Sequence, residues 1–163
     1  MKKKLLCMAL AAAMALGLCA CGSDDGGTTD ASTDDGTTST ATGAAFKIGG
    51  TGPLTGSASI YGVAAKNGAQ IAVDEINALG GVQFEINWQD DEHDPEKAVN
   101  AYNTLKDWGM QISLGSVTSK PGEATSVENY ADRIFALTPS ASSQATIEGK
   151  DNVFQMCFMD PNQ

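Results

Sequence analysis

The sequence has 163 residues, with 10 Lys and Arg against 20 Asp and Glu and a formal net charge of -10. Apolar residues at 42% and charged residues at 18% exclude a disordered acidic chain and allow one domain with a real core. A nucleic-acid binder needs a basic face, and an excess of acidic residues excludes one here.

The chain opens on Met1-Lys2-Lys3-Lys4, followed by an unbroken run of apolar residues and Gly from Leu5 to Leu18. That run is shorter than the roughly 20 apolar residues a spanning helix needs, and with its basic start it reads as a secretory signal over 1–20. Leu18-Cys19-Ala20-Cys21 resembles a bacterial lipobox, with a branched residue, a small residue and then Cys. The resemblance implies cleavage before Cys21 and acylation of its thiol, holding the protein at the outer face of a membrane. Stable anchoring by acyl chains rests on about 0.8 kcal/mol per buried methylene. Cys7 and Cys19 leave with the signal, so Cys157 remains as the one thiol and no intrachain disulfide forms. Its apolar neighbours Val153, Phe154, Met156 and Phe158 predict a buried, inert group.

Residues 21–45 read as a tether. From Gly22 to Ala45 every residue is Gly, Ser, Thr, Asp or Ala, so the segment has nothing large to bury against its ordering entropy. Asp24, Asp25, Asp30, Asp34 and Asp35 match no calcium-loop spacing. The folded body is expected over 46–163.

Within that body strands and helices alternate. A strand opens at Phe46, and a helix follows over about 61–79, with Ala64, Gly68, Ile71, Ala72, Ile76 and Leu79 at steps of three and four predicting one buried stripe. Gly80-Gly81 ends it. Residues 84–88 alternate apolar and polar, as a strand does. Asp94-Pro95-Glu96 is a helix start with an Asp cap, Pro at the first position and an acid in the first turn. The helix that follows turns Ala98, Ala101, Tyr102, Leu105 and Trp108 inward. Further strands are expected at 111–115, 134–137 and 153–158, with a helix over 121–132 packing Ala124, Val127 and Ala131. This order predicts an α/β fold, a doubly wound parallel sheet with helices on both faces. Ligands of such sheets sit at the carboxyl ends of the strands, which directs attention to loops 51–61, 116–121 and 138–143.

Gly50-Thr51-Gly52-Pro53-Leu54-Thr55-Gly56 fails as a dinucleotide fingerprint, because the last Gly is one position late and Pro53 interrupts the turn. Ser116-Val117-Thr118-Ser119 and Thr138-Pro139-Ser140-Ala141-Ser142-Ser143 each lead from a strand into a helix. Hydroxyls and free N–H groups at helix starts suit a carboxylate; plain N-capping is the alternative use for these serines. His93, the one His, sits among Asp90, Asp91, Glu92 and Asp94 and reads as a solvated helix-entry residue rather than a metal ligand or general base. No Ser lies in a nucleophile elbow. The residues point to a binding site without catalysis, metal or cofactor.

Several segments in order carry a wider resemblance: Ile48-Gly49-Gly50-Thr51-Gly52-Pro53-Leu54-Thr55-Gly56, Tyr61-Gly62, Asn67-Gly68-Ala69, and Ala72-Val73-Asp74-Glu75-Ile76-Asn77-Ala78-Leu79-Gly80-Gly81, then Asp90-Asp91, Asp94-Pro95, Ala98-Val99, residues 115–119, residues 138–142 and Asp160. Residues 46–163 resemble the N-terminal lobe of the leucine/isoleucine/valine-binding receptors of ABC importers, which have the type I periplasmic-binding-protein fold. The resemblance implies two α/β lobes closing on an amino acid, with ABC permease subunits as partners. By position, Ser119 and Ser142 hold the ligand carboxylate through hydroxyl and N–H, and Ser142 also helps hold the ammonium. The Ser140 carbonyl and Asp160 serve the ammonium, Ala141 lies in the same loop, and Tyr61 stands near the ligand side chain. A sensory domain of the same fold is the alternative output.

His93 and Thr118 occupy positions that a disulfide joins in some members. Lys120 stands where a small residue is usual, a cation that favours a more acidic ligand, and Gln155 stands where Arg is common. The family's second lobe is missing from this sequence, so a longer receptor is expected, with half a site here.

Overall fold

The computed structural model describes residues 43–160. The signal at 1–20, Cys21 and the tether up to residue 42 lie outside the described residues.

Five strands, β1 (Phe46–Gly52), β2 (Phe84–Asp90), β3 (Ile112–Ser116), β4 (Phe135–Thr138) and β5 (Val153–Gln155), form one sheet in the order β2-β1-β3-β4-β5. Every adjacent pair is parallel, so all carboxyl ends emerge at one edge. Helices α1 (Ser59–Ala78), α2 (Pro95–Trp108) and α3 (Ser119–Asp132) make the crossovers, and a single 3-10 turn, Gln144–Thr146, precedes β5. The chain leaves β1 toward β2 and returns to place β3 on its other side. That reversal opens a crevice between the carboxyl ends of β1 and β3.

Helix α2 follows the sequence pattern. Asp94 caps it by accepting the Lys97 N–H at 2.9 Å, Pro95 is its first residue, and Gly109 ends it at φ 93, a left-handed conformation that favours glycine. Its buried face is Ala98, Ala101, Tyr102 and Leu105. Tyr102, Leu105 and Met110 form the main apolar cluster, with Trp108 and Ile134 packed on it. Tyr102 also donates its hydroxyl to Asp132 at the end of α3, 2.9 Å away.

Helices α1 and α3 depart from it. The expected buried stripe of α1 is largely in the open, with Ile71 59% and Leu79 77% exposed, and the residues this helix buries are Gly62 and Val73. Small residues decide the contact: a Cβ on Gly62 would overlap the backbone of Pro53, so α1 docks through the face that carries Gly62, and the bulkier stripe beside it is left out. In α3, Val127 is 56% exposed and Ala131 is exposed, while Pro121, Gly122, Thr125, Ser126 and Asn129 are buried. The strands beneath end in hydroxyls: Thr51 and Ser116 are 2.5 Å apart, and Ser116 reaches Thr125 at 3.2 Å. A polar seam on the sheet side selects the polar face of α3. Strand β5 stops at Gln155, and beyond it Met156 and Phe158 are exposed and Cys157 is partly exposed. The expectation of a buried thiol therefore fails, because the strand that would have enclosed it ends two residues earlier.

Candidate functional site

The crevice is built from three loops. Asp90, the last residue of β2, accepts the Leu54 N–H at 2.7 Å and the Thr55 hydroxyl at 2.6 Å, tying the β1–α1 loop to the sheet edge. Burial disfavours the ionised form of Asp90, but the bonds from Thr55, Leu54 and Glu92 together outweigh it and hold the carboxyl below the usual carboxylate range. The loop so fixed delivers Tyr61, in the first turn of α1, to one wall.

The other walls come from β3–α3 and the segment after β4. Ser140 donates its hydroxyl to the Val117 carbonyl at 2.6 Å. The Ala141 N–H bonds the Thr138 hydroxyl at 3.1 Å, and that hydroxyl donates to the Ser116 carbonyl at 2.7 Å. Ser119 Oγ accepts the N–H groups of Ser142 and Ser143, at 3.2 and 3.3 Å. A hydroxyl has two lone pairs and one proton, so with both lone pairs engaged the Ser119 proton remains to donate. Thr118, Ser119, Ser140 and Ser142 share with Tyr61 and Val117 an open cleft of about 290 Å³.

Of the residues expected at the site, Tyr61, Ser119, Ser140 and Ser142 therefore meet in one cleft. Asp160 is brought to its rim by donating its N–H to the Ser142 carbonyl at 2.9 Å. Ala141 does not line the cleft; it is fully buried and supports the loop from beneath. Ser119 is the first residue of α3, with Thr118 in the cap position, so its hydroxyl is not the helix cap. The N–H groups of Ser119 and Lys120 have no hydrogen-bond partner among the described residues, as the first turn of a helix requires unless something caps it.

Two wall residues, Val117 and Thr118, were not singled out as ligand contacts in the sequence, which gives no hint of how strands register. His93 does more than enter a helix: its Nδ1 lies 2.9 Å from the Thr118 hydroxyl. The pair that the family resemblance marks as a disulfide position in some members is thus in direct contact, through a hydrogen bond.

A parallel sheet with a switch-point cleft walled by hydroxyls and an uncapped helix start is the architecture of a solute-binding lobe. Residues 45–163 match the family model described as periplasmic binding protein, and the chain belongs to that family. It is 37% identical over 120 residues to the Leu/Ile/Val-binding protein BraC3 of Rhizobium johnstonii, an alignment covering 71% of this chain and 33% of that protein. It is similar to the branched-chain amino acid transporter substrate-binding protein LivJ of Streptococcus pneumoniae, solved with isoleucine: 30% identity, TM-score 0.67, 72% of this chain and 35% of that one. It also resembles a solute-binding protein of an ABC transporter from R. palustris, solved with benzoate, at 25% identity and TM-score 0.67, covering 73% of this chain and 34% of that one. The chain spans about a third of the length of these relatives.

Proposed function

We propose that the chain is the N-terminal ligand-binding lobe of an exported, lipid-anchored receptor that binds an amino acid, branched-chain or related, and delivers it to an ABC permease. The observation that carries this reading is the cleft at the switch point, where the Ser119 proton, the Ser142 hydroxyl and the uncapped start of α3 converge. These are donors without an acceptor among the described residues, and a carboxylate is the group they suit. The ligands of the two solved neighbours, isoleucine and benzoate, differ in almost everything except a carboxylate.

In this reading Ser119 and Ser142 hold the α-carboxylate, the Ser140 carbonyl and the Asp160 side chain face the ammonium, and Tyr61 packs on the ligand side chain. A second lobe supplies the opposing wall, and closure couples binding to the transport-ready shape. In the full-length receptor, Ser119→Ala and Ser142→Ala are each expected to weaken leucine binding by about 1–3 kcal/mol, the range for lost hydrogen bonds to a charged group. Isothermal titration calorimetry measures this, and affinities unchanged in both variants would remove the assignment.

The benzoate neighbour favours a second reading, a small carboxylate that has no ammonium. Asp160→Asn separates the two: it weakens binding of an amino acid and leaves a simple carboxylate unaffected.

A further inference from the structure

Thr118 holds the cap position of α3 in backbone geometry, at φ -111 and ψ 152, yet its side chain makes no cap hydrogen bond. A Thr in that position ordinarily turns its oxygen back to the N–H of the second or third helical residue. The third residue here is Pro121, which has no N–H, so the Lys120 N–H is the partner within reach. The hydroxyl is turned instead to His93 Nδ1, at 2.9 Å.

The imidazole is held in place at some cost. Glu92 and His93 both have positive φ, 49 and 62, a conformation uncommon outside Gly, Asn, Asp and His and therefore costly chiefly at Glu92. Two carboxylates pin them there. Asp90 Oδ1 accepts the Glu92 N–H and Asp91 Oδ1 accepts the His93 N–H, each at 2.9 Å. Asp91 is itself fully buried, and its N–H bonds the Gly52 carbonyl at 3.2 Å at the end of β1. The strained turn is thus fastened to the sheet from which the cleft opens.

We propose that His93 is a positioning residue of the cleft: by holding the Thr118 hydroxyl it keeps the first turn of α3 uncapped, leaving that positive helix end to the ligand carboxylate. A capped helix start would have its N–H groups already satisfied and would offer an anion less. The inference rests on the carboxylate reading of the cleft, and its first test needs no ligand.

In the ligand-free full-length protein, amide exchange at Lys120 followed by NMR is expected to slow severalfold in His93→Ala, because the released Thr118 hydroxyl then caps that N–H. It should return to the parent rate in His93→Ala/Thr118→Val, which has no hydroxyl to cap with. His93→Gly, suited to the left-handed backbone, serves if His93→Ala fails to fold. Leucine affinity, read by calorimetry, should fall severalfold in the His93→Ala variant. A Lys120 amide that exchanges equally in the parent and in the His93 variant overturns the proposal. So does a His93→Ala variant whose Lys120 amide is slowed but which binds leucine as tightly as the parent, since the cap would then not matter to the ligand. If the parent binds no leucine, the functional reading fails by itself, and the exchange rates still decide whether His93 controls the cap.

Discussion

Asp91 is a carboxylate with no exposed surface, and among the described residues only its Oδ1 is bonded, Oδ2 being buried without a partner. Burial pushes its pKa up to about 6; the His93 N–H works against that rise, and the neighbouring charges of Asp90 and Asp94 add to it. In an unfolded chain an Asp titrates near 3.9. Between those values the folded state binds more protons than the unfolded one, so this group's contribution to stability falls as pH rises from about 4 to about 6 and is flat above. The loss amounts to about 3 kcal/mol. Asp90, Asp132 and Asp151 are shifted downward and act in the opposite sense, losing stability only as pH falls toward and below their ordinary range. Asp91→Asn keeps an oxygen for the His93 N–H and removes the titration. Its stability relative to the parent is expected to climb between pH of about 4 and about 6 and then level off, measured by urea denaturation across that range. A difference that does not vary with pH would mean that Asp91 titrates as an ordinary carboxyl. At this scale the serines of the cleft were legible as loop positions at the carboxyl ends of strands, Ser119 opening α3 and Ser142 leading into a 3-10 turn. The work of Asp91 and His93 was not. An acidic run beside a lone His reads as a solvated surface, and only the turn at Glu92 and His93 shows one carboxyl enclosed and the imidazole aimed at Thr118.

Helix α2 was legible almost residue by residue because each of its signals is local. The Asp94 cap, Pro95 and the Gly109 terminus act within one turn, and its apolar face meets an apolar cluster. Helices α1 and α3 were misjudged for a common reason: their docking faces are chosen by what lies beneath them. For α3 that is the hydroxyl seam of Thr51 and Ser116, which no pattern within the helix reveals. For α1 it is the backbone of Pro53, against which only a residue lacking Cβ fits. Gly62→Ala therefore forces the helix off the loop, because the obstructing atoms are the N, C and O of Pro53 and cannot rotate aside. The expected cost is about 1–3 kcal/mol, the range for overpacking at a tight contact, and chemical denaturation measures it. Tyr61 precedes Gly62 and lines the cleft, so the same substitution should also weaken leucine binding. By contrast, Gly68→Ala, at a position where an added Cβ meets nothing, is expected to be neutral or slightly stabilising through helix propensity. Equal stability for the two variants would mean that α1 does not depend on this approach.

For the whole molecule, the doubly wound sheet follows from the alternation of strands and helices, and the strand order then places the cleft between β1 and β3. The proposed attachment to a membrane rests on a different part of the chain and a different force. The chain carries a formal net charge of -10, and Lys2, Lys3 and Lys4 belong to the proposed signal, so cleavage there would leave a protein more acidic still. Membrane surfaces that carry anionic lipids repel such a body, so the proposed anchoring relies on acyl chains on Cys21. The two forces respond differently to salt. Electrostatic adhesion is screened within about 10 Å at 0.1 M salt, whereas burial of acyl methylenes is indifferent to it. The native protein is therefore expected to stay with the membrane fraction through a high-salt wash and to leave it in detergent. Cys21→Ser should appear in the soluble fraction, and the intact mass of the native form should exceed that of its polypeptide starting at Cys21 by the acyl groups. Release of the native protein by salt, or a Cys21→Ser variant still held on membranes, would place the attachment elsewhere in the chain.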